Sequence, residues 1–391
     1  MNHPFIPRSL EKPLRKQLSS FPVVALIGPR QCGKSTLAKK IIREKKAVYL
    51  DLEMPSDLNK LTDAEGFLRA NQGRLVCLDE IQRQPDLFPL LRALCDITRK
   101  PGQYLVLGSS SPELLRQSSE TLAGRIAYLD LTPFTVSEVT GFGDDRALWM
   151  RGGFPDSFLA DSETSSFEWR AQFIRTFLER DIALFGFDFS QTTMRRLWTM
   201  LAHCNGQLLN AAKLSDSLGV SPPTVRRYID FLEHTYMLRV LRPWFKNVKK
   251  RLVKSPKILF GDTGLLHSLL DIENTNQLFG HPVYGSSWES FAVNQLVSAS
   301  HGWSPFFYRT AKGDEIDLVL QKGKRMVAVE CKASTAPDVP PGFYRALDDL
   351  KLEEGYVVSP LPQQKGYRLG PRATAMTVLG MTNLIADWSH S

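Results

Sequence analysis

A chain of 391 residues is long enough for two or three domains with separate cores. Its composition, 43% hydrophobic and 23% charged, belongs to folded globular proteins and excludes disordered and fibrous classes. The formal charge of +8 is gathered in one place: Arg239 to Lys257, "RVLRPWFKNVKKRLVKSPK", holds eight Lys and Arg and no acid, the footprint of a polyanion partner.

No apolar run reaches the roughly 18 residues needed to cross a bilayer. The start, "MNHPFIPRSLEKPLRK", lacks the apolar stretch of a signal peptide. The five cysteines are scattered, never in CxxC, and point to neither a disulfide framework nor a zinc site. The expectation is a cytoplasmic, reduced protein with no membrane partner.

"VVALIGPRQCGKSTLAKKII" (23–42) reads as strand, glycine loop and helix, and fits GxxxxGK[ST] through Gly28, Gly33, Lys34 and Ser35. Gly28, Pro29, Arg30, Gln31, Cys32 and Gly33 would wrap ATP phosphates with backbone N–H groups. Lys34 would reach the β/γ oxygens, Ser35 would offer a hydroxyl to Mg²⁺, and Thr36 would belong to the same nucleotide-binding set. "RLVCLDEIQ" (74–82) predicts a buried strand ending in Asp79, placed to hold Mg²⁺, and Glu80, placed to polarise the attacking water. Further strands at 47–53, 104–111 and 126–131 complete five, spaced by helix-length segments, as in a parallel sheet covered on both faces. Ser109 and Ser110 end one of them, either touching the γ-phosphate or capping a helix at "SSSPELL". Arg125, in the loop before the last strand, suits an arginine finger acting in trans within a homo-oligomer.

Residues 20 to about 135 resemble an AAA+ ATPase core. "GPRQCGKST", "LDEIQ", "LGSSS", "LAGR", "GGFP" (152–155) and "LERDI" (178–182) resemble a family of bacterial and archaeal AAA ATPases with a C-terminal domain of unknown function. The resemblance implies a helical lid from Trp149 to about Ser190, in which Arg175 and Arg180 both qualify as a sensor arginine.

"LNAAKLSDSLGVSPPTVRRYIDFLEHTYML" (209–238) has the rhythm of a helix-turn-helix, with Gly219 turning, Ser221 capping, and Val225, Ile229, Leu232 and Tyr236 as a buried stripe. The basic segment follows as a wing containing Trp244 and Phe245. DNA binding through second helix and wing is the preferred reading, and protein packing by the same module is the other.

"DEIDLVLQKGKRMVAVECKAS" (314–334) predicts a β-hairpin turning at 322–324, with Asp317 opposite Glu330 and Glu315 opposite Lys332. Ile316, Leu318, Leu320, Val327, Val329 and Cys331 are expected on one apolar face. Opposed carboxylates repel, and a divalent ion between Asp317 and Glu330 would relieve them. Lys332 on the same face would stabilise an attacking hydroxide or a phosphate charge. With Glu289 on a preceding helix, the pattern Glu289…Asp317…Glu330-Cys331-Lys332 resembles the PD-(D/E)XK restriction-endonuclease-like superfamily, which implies metal held by all three acids. A capping box, Ser286-x-x-Glu289, explains Glu289 without chemistry.

The expected fold is α/β multidomain: an AAA+ P-loop parallel-sheet core (1–148), a helical lid (149–200), a winged helix (201–262) and a PD-(D/E)XK nuclease-like α/β domain (263–391). The expected function is Mg²⁺-dependent ATP binding and hydrolysis, acting on DNA. Its alternative is a nucleotide-controlled regulator whose C-terminal domain binds without cleaving.

Overall fold

Five apolar runs in the first third of the chain become β1 (Val23–Gly28), β2 (Ala47–Asp51), β3 (Leu75–Asp79), β4 (Tyr104–Ser109) and β5 (Ile126–Asp130), all parallel, in the order β2-β3-β4-β1-β5. Because side chains alternate along β1, Val23, Ala25 and Ile27 join one core while Val24 and Leu26 join another. Helix Leu87–Thr98 covers the first face with Phe88, Leu91 and Leu94; helices Glu11–Leu18 and Lys34–Arg43 cover the second with Leu14, Leu37 and Ile41. A strand buried on both sides needs an unbroken apolar run, which is what made these legible.

The computed structural model describes residues 4–44, 46–109, 118, 121–182, 190–245, 252–362 and 366–390, with only the backbone at 180, 181 and 390. Contacts divide the chain into Met1–Phe134 with His234–Tyr236, and Thr135–Glu233 with Met237–Ser391. The segments expected as lid, winged helix and C-terminal domain thus belong almost entirely to the second unit.

In that unit, "GGFP" follows helix Asp145–Arg151, and the Gly153 amide donates to the buried Asp262 carboxylate at 2.7 Å. Asp262 also caps helix Thr263–Leu269 through the Leu265 amide. Helices Ala211–Leu218 and Pro222–His234 flank a turn at Gly219, and Ser221 Oγ accepts from the Thr224 amide. Val225, Ile229 and Leu232 are buried as expected, but the helix ends at His234 and Tyr236 has φ 64° beyond it. The antiparallel pair β6 (Leu238–Leu241) and β7 (Lys257–Phe260) follows. Residues 246–251, including Lys249, Lys250 and Arg251, lie outside the described residues.

The last sheet has the order β12-β13-β11-β10-β9-β8 and is mixed. Its strands are β8 (Ser304–Arg309), β9 (Glu315–Lys322), β10 (Arg325–Cys331), β11 (Gly355–Val358), β12 (Tyr367–Gly370) and β13 (Ala373–Met376). The β9–β10 register is the expected one, Val329 facing Leu318 and Arg325 facing Lys322. The face assignment needs correcting. Ile316 packs with Val319, Ala328 and helix Pro341–Leu350, not with Leu318 and Leu320. A register shift between Phe306 and Tyr308 of β8, where β9 moves from Val319 to Ile316, breaks the alternation.

Candidate functional site

In the first unit, the parallel strands end together at the glycine loop. Gly28 has φ 155°, and a Cβ there would lie 2.2 Å from the Leu131 carbonyl oxygen, so only glycine lets β1 turn into the loop. Helix Lys34–Arg43 starts without a side-chain cap, leaving its first N–H groups for an anion. The Lys34 side chain is buried, and its Nζ donates to the carbonyls of Gly28 (3.1 Å) and Pro29 (2.7 Å) inside the loop. Arg30 lies 3.6 Å from Glu53, which also pairs with Arg83 at 2.6 Å.

Strand order brings the acids to the same edge. Asp79 ends β3, is buried, and accepts from the Tyr49 hydroxyl on neighbouring β2 and from the Glu80 amide at 3.0 Å. Glu80 sits at φ 55°, a left-handed conformation that a non-glycine residue adopts at some cost. Burial raises its pKa above the usual carboxylate value against the pull of Lys34. Gln82 Nε2 donates to both Glu80 and Ser109 Oγ (3.2 Å), joining the ends of β3 and β4. Ser109 is the register partner of Gly28, beside the loop. Ser110 and the segment it would cap lie outside the described residues. Ser35 and Asp79 are hard oxygen donors, so the residues fit Mg²⁺.

Arg125 lies elsewhere. Its carbonyl accepts from the Val23 amide at the start of β1, a strand of roughly 20 Å away from the loop. Its guanidinium pairs with Asp96 at 2.6 Å. This placement does not serve a finger role toward the chain's own nucleotide.

Three contributors escaped sequence reasoning here. Tyr49 sits in the middle of β2 and Gln82 just beyond β3, and only strand order reveals their partners. Arg8, upstream of every motif, is buried and donates to the carbonyls of Cys32 (2.8 Å) and Thr132 (2.6 Å), holding the loop from outside.

In the second unit the expected hairpin cluster assembles around a residue assigned to another task. Lys257, on β7, extends a 2% exposed side chain to Glu289 Oε1 (2.7 Å), Glu315 Oε1 (2.7 Å) and Asp317 Oδ1 (3.1 Å). Asp317 Oδ2 accepts from the Cys331 amide at 3.0 Å, Glu315 Oε2 pairs with Arg309 at 3.2 Å, and Glu330 Oε1 pairs with Lys332 at 3.0 Å. Glu330 Oε2 is buried with no hydrogen bond. The expectation of a metal held by Glu289, Asp317 and Glu330 does not fit this arrangement, because the Lys257 ammonium already takes one oxygen of Glu289 and one of Asp317 and Lys332 takes one of Glu330. Among the described residues, no group of three or more His, Cys, Asp or Glu is disposed to hold a metal. The capping box is also absent. Helix Tyr284–Ala299 begins before Ser286, whose hydroxyl donates back to the Val283 carbonyl.

Burial would lower the Lys257 pKa, but Asp317, Glu289 and Glu315 outweigh it and hold the group well above its ordinary value. Burial first and Asp317 second push Glu289 and Glu330 up to about 8 from 4.5, against Lys257 and Lys332. An acid whose pKa rises on folding keeps its proton in the native state, so stability falls as pH climbs from about 4.5 to about 8. Glu330→Gln, which cannot ionise, should therefore gain on the wild type progressively across that window and lose the advantage below it. Urea midpoints at a series of pH values measure this, and a pH-independent gap would mean that ionising Glu330 costs nothing.

One other basic residue of the expected wing, Arg239, also points into the protein, whereas Arg242 and Lys254 are exposed. Arg239 Nε donates to Asn294 at 2.7 Å, and Trp244 is buried, its indole donating to Gln321 at 3.0 Å. Phe245 is exposed. Arg226, Arg242 and Lys254 line an open groove of about 1040 Å³ between helix Pro222–His234 and the β6–β7 connection, with Asp230 and Glu233 beside them. Arg175 pairs with Glu179 on its own helical segment, and the Arg180 side chain is outside the described residues.

Three family models match in succession: an AAA domain over residues 20–140, a domain of unknown function (DUF8612) over 144–276, and a domain of unknown function (DUF4143) over 284–378. An uncharacterized protein of Mycobacterium tuberculosis, Rv2008c, is 43% identical over 347 residues, covering 89% of this chain and 78% of its own length. A Mycobacterium bovis protein, Mb2031c, matches to the same extent. Among solved structures, a Walker-type ATPase of Pyrococcus abyssi aligns at a TM-score of 0.48 and 14% identity, over 68% of this chain and 96% of that one. The Thermotoga maritima RuvB Holliday junction branch migration motor aligns at 0.30 and 19%, over 60% and 92%.

Proposed function

From the chain's membership of the family of AAA-domain P-loop ATPases with a C-terminal DUF4143 domain, we propose that it binds and hydrolyses Mg²⁺-ATP and couples this to nucleic acid held by its second unit. The observation that carries the ATPase part is the convergence of the glycine loop, Asp79, Glu80, Gln82 and Ser109 at one edge of the sheet. Phosphates entering the loop would draw Lys34 off the Gly28 and Pro29 carbonyls. Glu80, fixed by Gln82, would orient the attacking water, and Ser109 would report the γ-phosphate through the same glutamine. Ser35 and Asp79 would hold Mg²⁺, which neutralises phosphate charge when bound.

Arg125 is assigned to a neighbour's nucleotide. ATPase per chain should then rise with protein concentration, and mixing Arg125→Ala with Lys34→Ala chains should restore part of the activity. Fingers contribute roughly 10³ to 10⁵ in rate in P-loop enzymes. A monomeric mass with concentration-independent turnover would remove this role.

Nucleic-acid binding is assigned to the helix-turn-helix, the groove and the β6–β7 connection as a winged helix. Helix Pro222–His234 offers Arg226, and Lys254 and Arg242 stand across the groove, although Arg242 also meets Glu233 at 3.4 Å. If about five cations meet phosphates, log K against log salt should slope near −4 to −5. Replacing Arg226 and Lys254 by Ser should flatten that slope by up to ~2 units. An unchanged slope would favour the protein-packing role.

For the C-terminal domain, Lys257 among the carboxylates favours the second reading, binding without cleavage, over metal-dependent cutting. Assaying ATP hydrolysis and DNA cleavage together, with Mg²⁺ and Mn²⁺ and with duplex and single-stranded DNA, separates the two.

A further inference from the structure

An ammonium has three N–H donors, and Lys257 directs its Nζ at three carboxylate oxygens within 2.7–3.1 Å, a full complement. Its backbone is fixed on both sides. Lys257 pairs with Leu241 of β6 and bridges to Leu208, while the next residue, Ile258, accepts from the Gly206 amide and donates to Gln207. The side chain runs within 5.7 Å of the Phe307 ring and is as buried as the apolar core around it. Of the other oxygens, Asp317 Oδ2 is engaged by Cys331, Glu315 Oε2 by Arg309 and Glu330 Oε1 by Lys332, which leaves the second oxygens of Glu289 and Glu330 outside these pairs. A divalent ion coordinated by Glu289 and Asp317 would have to share their inner oxygens with a fixed positive charge at hydrogen-bond distance. The fixed charge of Lys257 disfavours a second cation there. Nor does Glu330 Oε2, the buried oxygen without a hydrogen bond, make a cage by itself.

We propose that Lys257 is the resident cation of this acidic cluster, taking the Glu289 and Asp317 oxygens that a divalent metal would use, so that the domain does not cut nucleic acid by metal-dependent chemistry. The lysine comes from β7, the strand that closes the helix-turn-helix, while the acids come from helix Tyr284–Ala299 and β9. A site with the residue types of a nuclease thereby becomes an ion lock between two segments of one unit. The inference rests on the nuclease-like reading of Glu289, Asp317, Glu330 and Lys332.

Mn²⁺ titration of the nucleotide-free full chain, followed by electron paramagnetic resonance, tests it. Four proteins are compared: wild type, Asp317→Asn, Lys257→Met, and Lys257→Met/Asp317→Asn. The wild type should bind Mn²⁺ no better than Asp317→Asn. Lys257→Met should acquire a saturable site at least ten-fold tighter than its Asp317→Asn counterpart. Plasmid nicking in Mn²⁺ by the wild type should not exceed that of Asp317→Asn. If wild-type Mn²⁺ binding or nicking is lost in Asp317→Asn, metal displaces the lysine; the inference fails and the nuclease-like reading stands. A folded Lys257→Met protein that gains no Mn²⁺ site overturns both. Should Lys257→Met not fold, Lys257→Gln retains a donor to the carboxylates, and the comparison of wild type with Asp317→Asn decides by itself.

Discussion

Glu80→Gln should bind ATP within a few-fold of the wild type and hydrolyse it about 10²–10⁴-fold more slowly, the usual worth of a positioned base. On a scale of about 1.4 kcal/mol per tenfold, that is about 3–5 kcal/mol of barrier. The split between binding and turnover follows from geometry. Glu80 takes no part in the glycine loop, where Lys34 and the helix N-terminus meet the phosphates, but it is linked through Gln82 to Ser109 beside that loop. Lys34→Ala should show the reverse, losing nucleotide binding itself. Phosphate release and fluorescent-nucleotide titration of both variants give the comparison, and normal turnover in Glu80→Gln would take Glu80 out of the mechanism.

Lys257→Ala is expected to destabilise the second unit by about 3–5 kcal/mol, because removing one member of a buried ion cluster leaves the others uncompensated. The cost is not what the ion pairs add to stability. It is chiefly the expense of Asp317 and Glu315 left without their cation away from water, beside Glu289, whose raised pKa lets it take up a proton instead. The protein supplies its own probe. All seven tryptophans, at 149, 169, 198, 244, 288, 303 and 388, lie in the second unit, so intrinsic fluorescence follows its unfolding alone. Adding Glu289→Gln and Asp317→Asn to Lys257→Ala should return part of the loss by removing the stranded charges. A Lys257→Ala midpoint within experimental scatter of the wild type would show that the cluster tolerates its own repulsion.

The ATPase sheet was legible because each parallel strand is a short apolar run and three of them, β1, β3 and β4, end in a motif, a local signal. Order was not: nothing in Tyr49 or Gln82 announces that β2 and β4 flank β3, and their hydrogen bonds to Asp79 and Ser109 exist only through that order. The hairpin register was legible from its turn, while the apolar face failed at Ile316, where a shift in β8–β9 pairing breaks the period of two. Lys257 was misread for a different reason. Within "KNVKKRLVKSPK" it is one more cation of a basic run, and only β7 turning it away from its neighbours distinguishes it. The repulsion between Asp317 and Glu330 did signal a missing positive charge; chemistry alone does not say whether that charge is an ion or a side chain.

Lys257 falls in the second of the three matched segments and its acids in the third. A gene fragment ending at residue 276 would carry the lysine into a core stripped of its partners, and one beginning at 284 would carry the carboxylates without their cation. Helix Val378–His390 runs past the end of the third segment as well. The borders seen by comparing sequences are thus not places where the polypeptide can be divided or its parts traded with those of another protein. A substitution at Glu289, Glu315 or Asp317 is therefore felt by a residue on the far side of the join.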